Sequence, residues 1–249
     1  METSVQDILN DNTSGSSEIL RKIQMSLLQT SKPASAIQQF KSQFEHFPIV
    51  THFLDYLKSR NLHQKVVDEY NAQWNKHNEI TINEFVGSVS SNNTSVMVHS
   101  NSGMVKHAIL ELYRRDSKVH VIQTESRPAF EGLIQGAYFL DKGISTELTI
   151  DAGIVDAMKR IDFVLLGADI ILNDSIVNKL GSYVIALAAD SFDTPVYILA
   201  DERKKVSESS DHFQQKEYDP SEVSTDSRFK IRNRYFETVP LKFLTKIYL

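Results

Sequence analysis

A chain of 249 residues that is 41% hydrophobic carries about 100 apolar side chains, enough for one large core or two modest ones, which excludes a disordered or fibrous protein. Its 27 Lys and Arg stand against 32 Asp and Glu, a formal charge of -5, so no overall basic field draws it to nucleic acid. With no cysteine it has no disulfide, no thiolate metal site and no sulfur nucleophile.

The first residues, METSVQDILNDNTSGSS, are polar and acidic. No apolar run in the chain approaches the ~20 residues of a membrane span, so a soluble cytoplasmic protein is expected. Up to about residue 85 the apolar residues recur at helical spacing: Ile19, Leu20, Ile23, Leu27 and Leu28, then Val50, Phe53, Leu54 and Leu57, then Val66, Val67, Tyr70 and Trp74. Pro33 and Pro48 fall where one helix should stop and the next begin. This predicts a helical domain over residues 1–87 with Trp74 in its core. The turn formers of GSVSSNNTS, residues 87–95, mark the boundary.

From residue 95 to 249 the pattern changes to short apolar runs separated by helical segments, which predicts an α/β domain with a Rossmann-like parallel sheet. The runs are Val96 to Val98, Val119 to Ile122, Leu148 to Ile150, Phe163 to Leu166 and Val196 to Leu199. Helices are expected at 104–115, 129–142, 152–159 and 182–191, the second with Phe130, Leu133, Ile134 and Ala137 on its apolar face.

Ligands of such sheets bind beyond the carboxyl ends of the strands, so the residues after each run are the candidates for chemistry. No GxGxxG or GxxxxGK[ST] is present and none of the eight histidines has metal-ligand spacing; no cofactor and no metal are expected. Asp169 follows Gly167 and Ala168, whose small side chains let a ligand approach, and is placed to act as an acid or base. Asn178 and Lys179 precede a helix; together with its free N–H groups they suit a phosphate, or Asn178 and Ser182 simply cap it. Arg127 either holds a phosphate beside Pro128 or pairs with Glu125. Asn101, Ser102 and Gly103 could form a backbone nest for an anion, with the Ser100 and Ser102 hydroxyls as donors. Arg228, Lys230, Arg232 and Arg234 alternate as on one face of a strand, a solvated row or a partner contact; no clear nucleic-acid site emerges.

Taken together, HSNSG (99–103), ESRPAFEG (125–132), DAGIVDAMKRIDFVLLGADIILNDSIVNKLGSY (151–183), DPSEV (219–223) and RYFETVP (234–240) resemble the initiation factor 2B superfamily over about residues 95 to 240. That superfamily includes the regulatory subunits of initiation factor 2B, their archaeal relatives, and isomerases of methylthioribose-1-phosphate and ribose-1,5-bisphosphate. The resemblance implies a catalytic aspartate at Asp169 and substrate-binding residues at Asn178 and Lys179. It also implies two departures from the isomerases. Ser100 stands at their catalytic cysteine, and Ser14 precedes Gly15 where they carry a phosphate-binding arginine. A thiol shuttles protons near neutral pH and an unactivated hydroxyl does not. The expectation is therefore a regulatory-subunit-like protein with a retained pocket for a phosphorylated small molecule, a sugar phosphate or nucleotide. It would form a homodimer or larger assembly and meet other translation-factor subunits. The alternative is a sugar-phosphate aldose-ketose isomerase that is degenerate at Ser100. The C-terminal apolar residues Phe243, Leu244, Ile247, Tyr248 and Leu249 are expected to be exposed and to need a cover.

Overall fold

Helices fill the first third of the chain, and their starts are legible in local chemistry. In the computed structural model, which describes residues 4–11, 14–89, 93–116 and 118–249, α1 (Val5–Leu9) opens on a capping box between Ser4 and Asp7. α2 (Ser16–Gln29) follows Gly15, while α3 (Pro33–Gln43) and α4 (Pro48–Leu57) begin on prolines, whose missing N–H has no partner to lose at a first helical position. α5 (Gln64–Ser88) is the longest, at 25 residues. Ile19, Ile23, Leu27, Phe40, Phe53 and Tyr70 lie in the core of this half, with Trp74 packed at its margin.

The remainder alternates strands and helices: β1 (Ser95–Val98), α6 (Gly103–Arg115), β2 (His120–Thr124), α7 (Glu131–Asp141), β3 (Ser145–Thr149), α8 (Ile154–Met158), β4 (Phe163–Leu166), β5 (Ile170–Ile171), β6 (Ser175–Lys179), α9 (Ser182–Ser191), β7 (Val196–Leu199), β8 (Phe236–Pro240) and β9 (Lys246–Tyr248). Six strands form a parallel sheet in the order β3-β2-β1-β4-β7-β9, the order of a doubly wound fold. Its faces follow the two-residue period of a strand. Val96, Val98 and Leu165 join the core under α5 and α6, and Met97, Val164 and Leu166 join the core under α8 and α9. A second, antiparallel sheet, β5-β6-β8, stands beside it.

Among the contacts that tie the halves together, two stand out. The first is α5 itself, whose early residues Val66, Val67 and Tyr70 belong to the helical core, whereas Ile82, Phe85 and Val86 belong to the core of the sheet. The second is an ion pair just beyond β7. The side chains of Asp201 and Arg203 are both buried; the Arg203 Nε donates to Asp201 at 2.7 Å, the guanidinium lies 4.7 Å from the Trp74 ring, and Asn78 of α5 donates to Asp201 at 2.8 Å.

Several expectations are corrected. Gly87 is inside α5, and of the expected boundary segment residues 90–92 lie outside the described residues. The strand expected at Leu148 to Ile150 runs instead from Ser145 to Thr149 at the sheet's edge, where Leu148 is exposed. α7 is turned about its axis: Gly132 and Gly136 let it lie close on β2, so it buries Glu131, Gln135 and Phe139 and leaves Leu133 and Ile134 outside. The C-terminal residues do not need a second chain to cover them. Tyr248 enters the core beside Phe85, while Phe243, Leu244, Ile247 and Leu249 pack on the other face. Residues 228–234 form no strand; Arg228 pairs with Asp226 and Arg234 with Glu217. Among the described residues no helix is long and apolar enough to cross a membrane.

Candidate functional site

β1 and β4 are neighbours in the sheet, so the chain leaving them, at residues 99–103 and 167–169, opens onto one edge. With the start of α2, the start of α7 and the end of β6 these segments enclose a cleft of about 700 Å³. Ser100, Asn101, Ser102, Gly103, Asp169, Asn178, Lys179 and Gly15 all line it. Arg127 does not. Its backbone N–H donates to Asp151 at 2.7 Å, and its guanidinium lies over the Phe130 ring and donates to the Glu222 carbonyl.

His99 is buried and neutral. Its Nε2 donates to the Leu180 carbonyl at 2.9 Å, its Nδ1 takes the Thr124 hydroxyl, and burial pushes its pKa down to about 4. Next to it Ser100 adopts a left-handed backbone with φ of 66°; Ser126 and Phe130 do the same in the facing turn. Such strain in non-glycine residues persists where the surroundings over-determine it. Here the Ser100 N–H donates to the Ser126 hydroxyl at 2.8 Å, and the Ser102 N–H donates to Gln135 at 2.8 Å. Those two amides are therefore committed within the protein, which leaves the expected nest with Asn101 and the amino end of α6. The smallness of Gly167 serves Ser102 rather than a ligand, because a Cβ there would sit 2.8 Å from the Ser102 hydroxyl.

The floor of the cleft is formed by charges. Lys179, 2% exposed, places its ammonium 2.7 Å from Glu131 Oε1 and 4.6 Å from the Tyr235 ring centre, yet no hydrogen bond of its Nζ is well directed. Glu131 is 6% exposed; its Oε1 also accepts from the Ser100 hydroxyl at 3.2 Å, and its Oε2 is buried without a partner. Burial raises the Glu131 pKa, and Lys179 opposes that shift. Lys204 reaches in from beyond β7 to donate to the Ala168 carbonyl at 2.7 Å. The Asp169 carboxylate, beside it in the chain, makes no hydrogen bond or ion pair among the described residues.

Asn178 braces its surroundings: its amide donates to the Ser182 hydroxyl at 2.8 Å, which donates to the Lys179 carbonyl at 2.6 Å. The helix it precedes offers no anion site. The N–H groups of Gly181 and Tyr183 both donate to Glu237 Oε1, at 2.7 and 2.9 Å, so a carboxylate of the chain already occupies the amino end of α9. The amino end of α6 is different, since Gly103 and Met104 face the cleft. Around it stand Lys106, Arg21 and Lys22. Arg21 pairs with Glu18; Lys22 pairs with Asp11 and donates to the Ser14 hydroxyl at 2.9 Å. A lysine thus reaches the position where the resemblance led us to expect an arginine and Ser14 stands instead.

Five cations (Arg21, Lys22, Lys106, Lys179, Lys204) and three carboxylates (Glu18, Glu131, Asp169) face the cleft, a positive site in a chain of net charge -5. Among the described residues no three His, Asp or Glu side chains converge as they would around a metal ion. Sequence reasoning missed Glu131, Lys22, Lys204 and Tyr235. Glu131 stood within a motif already singled out, but the apolar stripe of α7 pointed it outward.

The initiation factor 2 subunit family model matches residues 5–248 of the chain. Translation initiation factor eIF2B subunit alpha of Dictyostelium discoideum is 34% identical over 111 residues, which cover 44% of this chain and 35% of that protein. Ribose 1,5-bisphosphate isomerase of Archaeoglobus fulgidus is 30% identical over 161 residues, covering 61% of this chain and 51% of that one. The chain thus spans about half or less of the length of these relatives. Among solved structures, the Pyrococcus horikoshii OT3 translation initiation factor eIF-2B superposes with a TM-score of 0.82 at 22% identity, over 98% of this chain and 92% of that one, a likeness of fold.

Proposed function

The chain belongs to the initiation factor 2 subunit family, and we propose that within it the protein is a regulatory-type subunit that binds a phosphorylated small molecule in the cleft without turning it over. One observation carries this reading: the Lys179 ammonium is buried on the cleft floor with hydrogen-bonding capacity unspent. A buried charge of that kind is costly unless something completes its shell. The absence of turnover is argued from Ser100: its hydroxyl stands where the resemblance implies the isomerases' catalytic thiol and does not shuttle a proton near neutral pH as a thiol does, and the carboxylate it donates to, Glu131, is held in an ion pair with Lys179. Asn101, Gly103, Gly15 and Lys179 are the proposed binding residues, and Asp169 is the carboxylate nearest to a catalytic role. The exposed apolar residues of α7 and α9, among them Leu133, Ile134, Val184 and Leu187, support self-association or contact with other subunits in the cytoplasm.

The isomerase reading is favoured by the unpartnered carboxylate of Asp169 and by the A. fulgidus relative. A thermal-shift screen of phosphorylated sugars and nucleotides, followed by an isomerase assay on each hit, separates the two. Stabilisation that Lys179→Ala abolishes, with no ketose formed, supports the binding protein. Turnover of order 1 per second or more would establish the enzyme, and no stabilisation by any phosphorylated compound would refute both.

A further inference from the structure

Residues 223–232 leave the body of the protein and return to the place they left. Asn233, which is buried, donates from Nδ2 to Glu222 Oε2 at 2.6 Å and to the Asp219 carbonyl at 2.7 Å, and its own carbonyl accepts from the Tyr218 N–H at 2.9 Å. Glu222 also takes the Tyr235 hydroxyl, at 2.5 Å. The segment is thus a compact surface loop with pinned ends. Its tip is ordered as well, because Asp226 accepts from the Arg228 N–H at 3.0 Å through its carboxylate and from the Phe229 N–H at 3.3 Å through its carbonyl.

This fixed tip presents an aromatic ring among cations. Phe229 is 65% exposed, more than any other large apolar side chain among the described residues, and Arg228, Lys230 and Arg232 flank it. Arg228 pairs with Asp226, the one carboxylate of residues 223–232. Lys230 and Arg232 make no hydrogen bond or ion pair among the described residues, although Arg232 acts on Glu217 at longer range. At physiological salt, charges further off than about 8 Å are largely screened, so a partner at the tip meets this local excess of cations rather than the net charge of -5.

We infer that this loop binds single-stranded nucleic acid, one unstacked base lying on the Phe229 ring and the neighbouring phosphates meeting Lys230, Arg232 and Arg228. Any base offers a π-face, so the contact is tolerant of sequence, and the cations, spaced two residues apart, can each reach a different phosphate. The bonds within the loop hold it ready, which spares the cost of ordering it on binding. A protein partner fits less well: within the loop only Val223 adds exposed apolar surface, too little for the apolar centre of a protein contact. None of residues 223–232 lines the cleft, so the site is separate from it and independent of the function proposed there.

Fluorescence anisotropy of the full chain with labelled dodecamers of uridylate and of thymidylate tests this, the two probes separating RNA from DNA. The affinity should fall with salt at a logarithmic slope of about -2 or shallower, as three phosphate contacts at most would give. Phe229→Ala should weaken binding at least about fivefold with the slope unchanged. Lys230→Ala and Arg232→Ala should each make the slope shallower by about 0.7. All three side chains are exposed, so the variants should fold. The inference is overturned if neither dodecamer binds, if Phe229→Ala binds like the wild type, or if binding survives the three substitutions combined, which would place the oligonucleotide elsewhere on the chain. An oligoglutamate of equal length that binds as tightly as the dodecamers would also overturn it, in favour of an acidic protein segment.

Discussion

Gly181 lies against the imidazole of His99: a Cβ at position 181 would sit 3.0 Å from both Cε1 and Nε2 of that ring. The backbone there has φ of 106°, outside the range that L side chains adopt readily. Gly181→Ala should therefore lose at least about 2 kcal/mol of stability, from left-handed strain plus the displaced ring. Urea unfolding measures it, and a loss below about 0.5 kcal/mol would show that the ring yields freely.

His99 makes stability depend on pH. Its folded pKa, about 4, lies below the ordinary value of 6.5. As pH falls below 6.5 the unfolded chain takes up a proton that the folded chain refuses, so stability falls until the folded form also protonates near pH 4. The loss across that window is on the order of 3 kcal/mol. His99→Gln should flatten the wild-type curve by that amount; parallel curves from pH 7 to 4 would contradict the assignment.

The Asp201 and Arg203 pair should be expensive to break and cheaper to replace. Arg203→Ala leaves a buried carboxylate with the Asn78 amide but no counter-charge and should cost about 3 to 5 kcal/mol, whereas Asp201→Asn combined with Arg203→Met should recover part of that. Trp74, the chain's one tryptophan, packs against the guanidinium. Its emission should shift in Arg203→Ala, and an unchanged spectrum would argue against the contact.

Catalysis should be recoverable only with sulfur. The wild-type chain is expected to leave methylthioribose-1-phosphate unchanged, and Ser100→Cys with Ser14→Arg should raise ketose formation above background. The new thiol would face Glu131, which disfavours its thiolate, so any activity should increase toward alkaline pH. Ketose formation by the wild type at the rate of the double variant would refute the role given to position 100.

The central strands were legible because they are buried on both faces and read as unbroken apolar runs; β4, as FVLL, is the plainest case. The edge strand β3 has the sequence STELT, whose alternation is nearly all polar, and was placed too late in the chain. β6 escaped notice because its final residues, Asn178 and Lys179, look like the approach to a helix rather than the end of a strand. In the site, Asp169 is singled out because it trails an apolar run and Lys179 because it precedes a helix, and both line the cleft. Glu131 was hidden by α7, where two glycines determined the buried face and hydrophobicity did not. Asp201 depends on Asn78, which is 123 positions away, a pairing that spacing within one segment cannot reveal.

The sharing of α5 between two cores bears on how the protein melts. Neither half can lose its packing without freeing one end of a helix whose other end is still engaged, and a helix stripped of one flank is only marginally stable in water. Unfolding of the two halves should then be thermodynamically linked. A calorimetric scan should give one heat-absorption peak, with its van't Hoff enthalpy equal to the calorimetric one.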